Sequence, residues 1–411
     1  MRRILPTLLL LMLLSWLAWG ALKLRPPAAV TIYSGPEGGS YHQYAKRYLP
    51  LLKEVSEESQ IEPVSESLRI PDRVADSPKG QGIGFASIRT GNAKHAELVS
   101  VGVVDTQPLF IFYRQALGPG MTLQRLASAR MVTPPAGSAS AMAADALLKL
   151  HGTDVESLRI ERRPLAQAIQ ALRQGEVDVG FFMLGADNRL VQELMADRTL
   201  RLMSLPNADS VARHIDFFVP VKIHRGVFDV AGDIPAQDIH LVGSPIDVIV
   251  HRDLNPAVLH RLLTALEEAH RQPSLLSRRG TYPNVTDSAW PIHPAARAQA
   301  RDGPLWMHQR LWPWLAAIVD VHWPLLLAIA GMGTLWGGIK NLMALMATTK
   351  HLMALIIVQR MLERQSDRAA SRDELDLRLQ ALADALLEDE TVQKRAKKTL
   401  ERLRRPPPES S

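Results

Sequence analysis

One device occurs twice in this chain and narrows the architectures open to it. A β-branched run leads into a turn of small residues, and a helical pattern follows. The first copy is Val30-Thr31-Ile32-Tyr33, then Ser34-Gly35-Pro36-Glu37-Gly38-Gly39-Ser40, then a helix expected from Tyr41 to about Val55. The second is Met131-Val132-Thr133, then Pro134-Pro135-Ala136-Gly137-Ser138-Ala139-Ser140, then a helix expected from Ala141 to Leu150 with Ser138 or Ser140 as its cap. Strand, small-residue turn and helix form the repeating unit of α/β proteins. Glycine lets backbone come close to a ligand, and the following helix aims unpaired N–H groups at it. Neither turn has dinucleotide-binding spacing, and no Gly-Lys-Ser/Thr follows either of them.

The rest of the middle of the chain keeps this alternation. Gln81-Gly82-Ile83-Gly84-Phe85-Ala86-Ser87 reads as a strand ending in small residues, with Leu98–Val104 and Pro108–Tyr113 as two further strands. Thr122–Leu126 reads as a short helix. Leu165–Arg173 puts Ala168, Ile169 and Leu172 on one helical face and stops at Gly175. Val177–Met183 is then a strand, closed by Gly185-Ala186-Asp187, and Val211–Pro220 and Ile239–Val250 are later strand candidates. Asn255–His270 is an amphipathic helix opened by a cap and a first-turn proline. The Tyr282-Pro283, Trp290-Pro291 and His293-Pro294 pairs predict an extended run-out.

Two apolar stretches bracket this α/β region. Leu5–Leu24 follows Met1-Arg2-Arg3 and contains no acidic residue. It is expected to be an uncleaved anchor with a cytoplasmic N-terminus, a cleaved signal peptide being the alternative. Trp314–Ile339 is expected to be a second span, with Trp306, Trp312, Trp314, Trp323 and Trp336 as an interfacial belt. A buried helix of a soluble domain is the alternative there, because Asp320, His322 and Pro324 interrupt the run. The expected organisation is an anchor or signal over 1–25, an α/β domain over 26–303, a linker and transmembrane helix over 304–340, and a cytoplasmic helical tail over 341–411. Arg2 and Arg3 inside place the main domain in the periplasm, tethered to a bacterial inner membrane. In the tail Leu375, Leu379, Leu382 and Leu386 follow helical spacing.

Composition sets further limits. The 411 residues are 46% apolar, enough for two packed domains, while a mean hydropathy of −0.03 is too polar for a polytopic membrane protein. The absence of cysteine excludes disulfides, thiolate metal sites and Cys nucleophiles. The net charge of +6 gathers near the C-terminus, as in Lys394, Arg395, Lys397, Lys398, Arg402, Arg404 and Arg405, so nucleic acid is not an expected partner.

The succession SGPEGGSYHQYA (Ser34–Ala45), QGIGFAS (Gln81–Ser87), PLFIFYR (Pro108–Arg114), VTPPAGSASAMAADALL (Val132–Leu148), AIQALRQGEVDVGFF (Ala168–Phe182) and IHPAA (Ile292–Ala296) resembles the TAXI group. These are solute-binding subunits of tripartite ATP-independent periplasmic (TRAP) transporters, and the tail after residue 292 looks like their membrane-anchored subset. The resemblance covers roughly residues 28–303. It implies an α/β, two-lobed type II periplasmic-binding-protein fold, with lobe 1 at about 26–115 and 221–303 and lobe 2 at about 116–220. It implies a small organic solute in the cleft, a carboxylate or amino acid being favoured, TRAP permease subunits as partners, and no cofactor. One cleft wall would be Ser34, Gly35, Gly38, Gly39, Ser40 and Tyr41, with Ser87 at the neighbouring strand end. The opposite wall would be Pro135, Gly137, Ser138 and Ser140, with Phe182, Gly185 and Asp187 nearby. The chain departs from the family pattern at Pro36, which has no N–H, at Glu37, which adds negative charge, at His42, and at Ala86-Ser87-Ile88. These departures leave a cationic or neutral solute open.

Catalysis is not expected. Gly137-Ser138-Ala139-Ser140 is not a nucleophile elbow, and His214, Asp216, His224 and Asp229 match no familiar metal-ligand spacing. Three roles remain: solute capture for a TRAP-type permease, an anchored sensor that signals through its tail, and a scaffold with a vestigial cleft.

Overall fold

The computed structural model describes residues 25–303 other than 79, 90 and 91, together with Ser15 and residues 327, 331, 334, 337–347, 349, 350 and 353. Apart from those isolated positions, the two expected membrane stretches and the leucine-spaced tail lie outside the described residues. Among the described residues no helix is long and apolar enough to cross a membrane. The chain forms two compact units, Met1–Trp323 and Pro324–Ser411. In the second, residues 337–347 are helical, and Ile339, Leu342, Met343, Leu345 and Met346 are exposed. All that follows concerns the first unit.

Its strands run in the order β2 (Gln60–Pro63), β1 (Thr31–Ser34), β3 (Gly82–Ala86), β10 (Ile239–His251), β4 (Leu98–Arg114), β7 (Val179–Met183), β5 (Met131–Thr133) and β6 (Ile160–Arg162). Two short strands complete it: β8 (Leu200–Leu202) on β4 and β9 (Val219–Ile223) on β10. Pairing is parallel within β2-β1-β3 and within β7-β5-β6, and antiparallel wherever β4 or β10 takes part. The two long strands cross between the halves. Asp247–Val250 of β10 pairs with Ile83–Ala86, and Leu109–Tyr113 of β4 pairs with Val179–Met183. Register shifts between Ile246 and Asp247 and between Val248 and Ile249 break the β4–β10 ladder near the crossing. Such bulges bend and twist a strand locally.

Helices cover each half for reasons legible in their sequences. α1 (Ser40–Lys53) and α7 (Pro256–His270) seal the first half, where Tyr48, Leu52, Leu259, Leu262 and Leu266 join Ile32, Ile83, Phe85 and Val101 in one buried cluster. Asn255 caps α7 by accepting from Ala257 N at 3.0 Å, and Pro256 starts it where a missing N–H costs nothing. α2 (Ile70–Asp76) adds Ile70 and Val74 to the same cluster. In the second half the pleat of β4 divides its side chains between two faces. Leu109 and Ile111 pack with Met131, Leu147 and Phe181 under α3 (Ala139–Leu150), whereas Phe110 and Phe112 pack with Val132, Ile169 and Leu172 of α4 (Leu165–Gln174). Gly175 ends α4 at φ +78°, a left-handed position where a Cβ would collide with the Arg114 guanidinium. α5 (Arg189–Ala196) follows β7 with Asn188 as its cap.

Four expectations change here. Leu98–Val104 and Pro108–Tyr113 are one strand of 17 residues, because β10 continues the pairing through Asp105, Thr106 and Gln107. Val211–Pro220 is not a strand: Ala208 and Val211 face inward from α6 (Ala208–His214), and the strand begins only at Val219. The proline-rich run-out carries α8 (Pro294–Asp302), since an extended residue before proline is also what a helix cap requires; His293 fills it, accepting from Ala295 N at 3.1 Å. Finally, Ile223, Ile239 and Leu241 belong to the Phe110–Phe112 cluster. The crossing between halves therefore lies where Thr106, Gln107 and Pro108 oppose Pro245, Ser244 and Gly243, rather than near residues 115 and 220.

Candidate functional site

The turns that follow β1 and β5 line one space. β1 ends at the buried Ser34, whose Oγ donates to the Gly35 carbonyl at 3.0 Å and lies 3.0 Å from His42 Nδ1. Gly38, at φ +80°, brings the chain round so that Gly39 N donates to the Pro36 carbonyl, and α1 starts at Ser40. Across the gap, Ser138 caps α3 by accepting from Ala141 N at 3.2 Å, and Ser140 Oγ accepts from Met183 N at 2.9 Å. Small side chains at both helix starts allow this approach.

Two sets of hydrogen bonds between the halves flank the turns. At one, Ser40 Oγ accepts from Gly185 N at 2.9 Å and from Asn188 Nδ2 at 3.2 Å, and the same amide donates to the Gly38 carbonyl at 3.0 Å. At the other, Leu68 N donates to the Gly137 carbonyl at 3.0 Å, and Ala139 N donates to Ser67 Oγ at 3.0 Å. Between them lies a space of about 40 Å³, lined by Gly35, Gly39, Ser40, Tyr41, Gln107, Ser138 and Ser140 among others. Two polar atoms on this lining, Tyr41 Oη and Gln107 Nε2, are buried with no hydrogen-bond partner. Burial drives the Tyr41 hydroxyl well above its ordinary range; Ser87 partly offsets that rise without completing a bond to it. An unpaired buried donor costs about 1–3 kcal/mol, so both atoms are positioned to gain from a polar group placed there.

The match to a family model decides the ancestry: the NMT1-like model aligns with residues 87–297. The chain belongs to the NMT1-like family. The match takes in the second turn, the crossing strands and β7, while the first turn lies ahead of it. No curated protein matches the sequence. Among solved structures, the NMT1-like chain is similar to MatC from Rhodopseudomonas palustris with bound malate, at 15% identity over 71% of this chain and 98% of that one, with a TM-score of 0.43. It is also similar to the periplasmic aliphatic sulphonate binding protein SsuA from Escherichia coli, at 17% identity over 71% and 82% of the two chains, with a TM-score of 0.37.

In the NMT1-like domain the expected site residues separate into groups. Gly35, Gly39, Ser40, Tyr41, Ser138 and Ser140 line the space. Gly38, Gly137 and Gly185 form the contacts beside it, and Pro135 sits in the second turn, accepting from Ser138 N. Ser34 lies behind the first turn, held against His42, which burial and Lys46 keep below its usual titration range. Ser87 stands at the end of β3, its carbonyl taking a bond from Ser244 Oγ at 2.7 Å. Asp187 is exposed on the far side of the Ser40 contact, accepting from Leu275 N at 3.1 Å. Phe182 is a correction: it is wholly buried with Phe110, Val132 and Leu172, because β7 alternates and turns Phe182 away from the face that Phe181 occupies. Glu37 is exposed and does not line the space.

Gln107, Ser67 and Asn188 are site residues that sequence reasoning missed. Gln107 had a signal, since Asp105-Thr106-Gln107 interrupts an otherwise apolar strand, and a polar triplet inside a buried strand faces something polar. Ser40→Ala tests the clamp. Loss of the hydroxyl leaves Gly185 N without its acceptor and the Asn188 amide with the Gly38 carbonyl alone, a cost of about 1–3 kcal/mol to the closed form. The expected result is a larger radius of gyration in small-angle scattering; an unchanged radius would assign closure to other contacts.

Proposed function

We propose that the NMT1-like domain is an extracytoplasmic solute-binding protein that catches a small organic solute between its halves. The observation that carries this reading is the pair of unpartnered buried groups, Tyr41 Oη and Gln107 Nε2, between two facing helix starts. The space of about 40 Å³ has room for little more than a water or two. A solute therefore enters only when the Ser40 and Gly137 contacts part, together with the Asp187–Leu275 bond, as the two crossing strands bend. Closure on a solute would replace those direct contacts with bonds from the turns, and the equilibrium would shift by the solute's differential affinity for the closed form. The resemblance of the turns to the TAXI group supports service to a TRAP-type permease. The basic start and the two apolar stretches support tethering to a bacterial inner membrane with the domain in the periplasm and the tail in the cytoplasm.

The test is the melting temperature of the purified full chain against a panel of small dicarboxylates, amino acids, sulfonates and neutral metabolites. A rise with at least one of them, accompanied by a smaller radius of gyration, is the expected result. A panel without effect on either measurement would overturn solute capture.

A further inference from the structure

A larger cavity, of about 280 Å³, opens on the other side of the Ser40–Asn188 contact. α1 contributes Tyr44 and Arg47 to it, the crossing strand β4 contributes Asp105, the turn after β7 contributes Asp187, and the segment from the end of α7 contributes His270 and Tyr282. Asp105 is the centre of its chemistry. Tyr44 Oη donates to Oδ2 at 2.5 Å, and Thr106 N donates to Oδ1 at 2.8 Å. Among the described residues no Lys, Arg or His forms an ion pair with it, and the charged neighbour that acts most on it is Asp187, of the same sign. His270 offers no compensation: desolvation and Arg47 hold it at about 3, and its Nε2 lies 2.6 Å from Tyr48 Oη. The carboxyl thus sits in a polar hollow with hydrogen-bond donors; Arg47 also lines the hollow but forms no ion pair with Asp105, and burial pushes the carboxyl up to about 7.

We propose that this cavity is a second binding site, for a small organic cation such as an alkyl amine, with its ammonium group against Asp105 and Asp187. The hollow is far larger than a desolvated metal ion needs, and the tyrosine rings lining it suit the alkyl portion of an amine. The site stands independently of solute capture between the turns, since it lies outside that space. Binding of the ammonium expels the carboxyl proton of Asp105 to solvent, so affinity increases with pH. The groups facing Asp105 from the surrounding elements are Tyr41, Tyr44 and Tyr48 of α1, Tyr282, His270, Arg47 and Asp187. Burial holds the tyrosines above their ordinary range, and His270 lies far below, so these do not change charge between pH 6 and 8.

Calorimetric titration of the full chain with putrescine, and with succinate as the dicarboxylate of equal carbon number, tests the assignment. Putrescine is expected to bind, about tenfold more tightly at pH 8 than at pH 6 as Asp105 ionises through its value near 7. Asp105→Asn is expected to weaken binding at least about tenfold and to remove the pH dependence. If circular dichroism shows that variant unfolded, Asp187→Asn serves, with weaker binding and the wild-type pH slope retained. No putrescine binding at pH 8, equal binding of succinate, or affinity independent of pH would each overturn the proposal.

Discussion

Gly137→Trp abolishes the solute-dependent rise in melting temperature and leaves the domain folded. The Gly137 carbonyl receives Leu68 N across the cleft, and even a Cβ at this position would lie 2.8–2.9 Å from the side chain of Glu66. Glu66 is partly exposed and can swing away from a methyl group, but an indole has nowhere to go while Gly137 stays bonded to Leu68. The backbone at Gly137 is not left-handed, so the new side chain adds bulk without local strain. Each half keeps its own buried clusters, and the substitution lies in neither. Overpacking costs about 1–3 kcal/mol where neighbours can yield; here the lobes yield by staying apart. Small-angle scattering should show an expanded domain, and differential scanning calorimetry should show no shift with any solute that moves the wild type. A variant that keeps the full shift would place the solute somewhere other than between the turns.

Asp105→Asn flattens the dependence of stability on pH between about 4 and 7. Burial raises the folded-state value of this carboxyl from the ordinary carboxylate range to about 7, so over that interval the folded protein binds more protons than the unfolded chain. Stability from this group is full in acid and falls as the pH climbs to 7. The upper bound on the loss is about 4 kcal/mol, and contact with the cavity reduces it to about 2–4 kcal/mol. Asparagine does not titrate. It has one carbonyl for two donors, Tyr44 Oη and Thr106 N, which adds an offset independent of pH. Urea unfolding of wild type and variant at pH 4, 5.5, 7 and 8 measures the difference, which should move in favour of the variant as pH rises. Asp247 is also raised by burial, but it is common to both proteins and drops out. Parallel profiles would show that Asp105 titrates where an exposed carboxylate does.

Features that act over a few residues were legible in the chain. Ser138 capping α3, Asn255-Pro256 opening α7 and Gly175 closing α4 each depend on backbone groups within one helical turn, and each stands where its sequence context placed it. The two small-residue turns likewise announced two helix starts. Their meeting over one gap, and the loss of Phe182 to the core, followed from strand order and pleat instead.

The amino-acid sequence by itself determined which segments alternate as strand and helix and where the glycine turns fall, because caps, turns and amphipathic spacing are settled between near neighbours. Only the tertiary structure decided that Leu98–Arg114 is unbroken, that Gln107 and Tyr41 share a space, and that Asp105 is half-buried with no ion pair. Those outcomes depend on β4 pairing with β10, a strand far along the chain, and on the loss of water that distant elements impose on one carboxyl. No pattern of nearby residues encodes either of them.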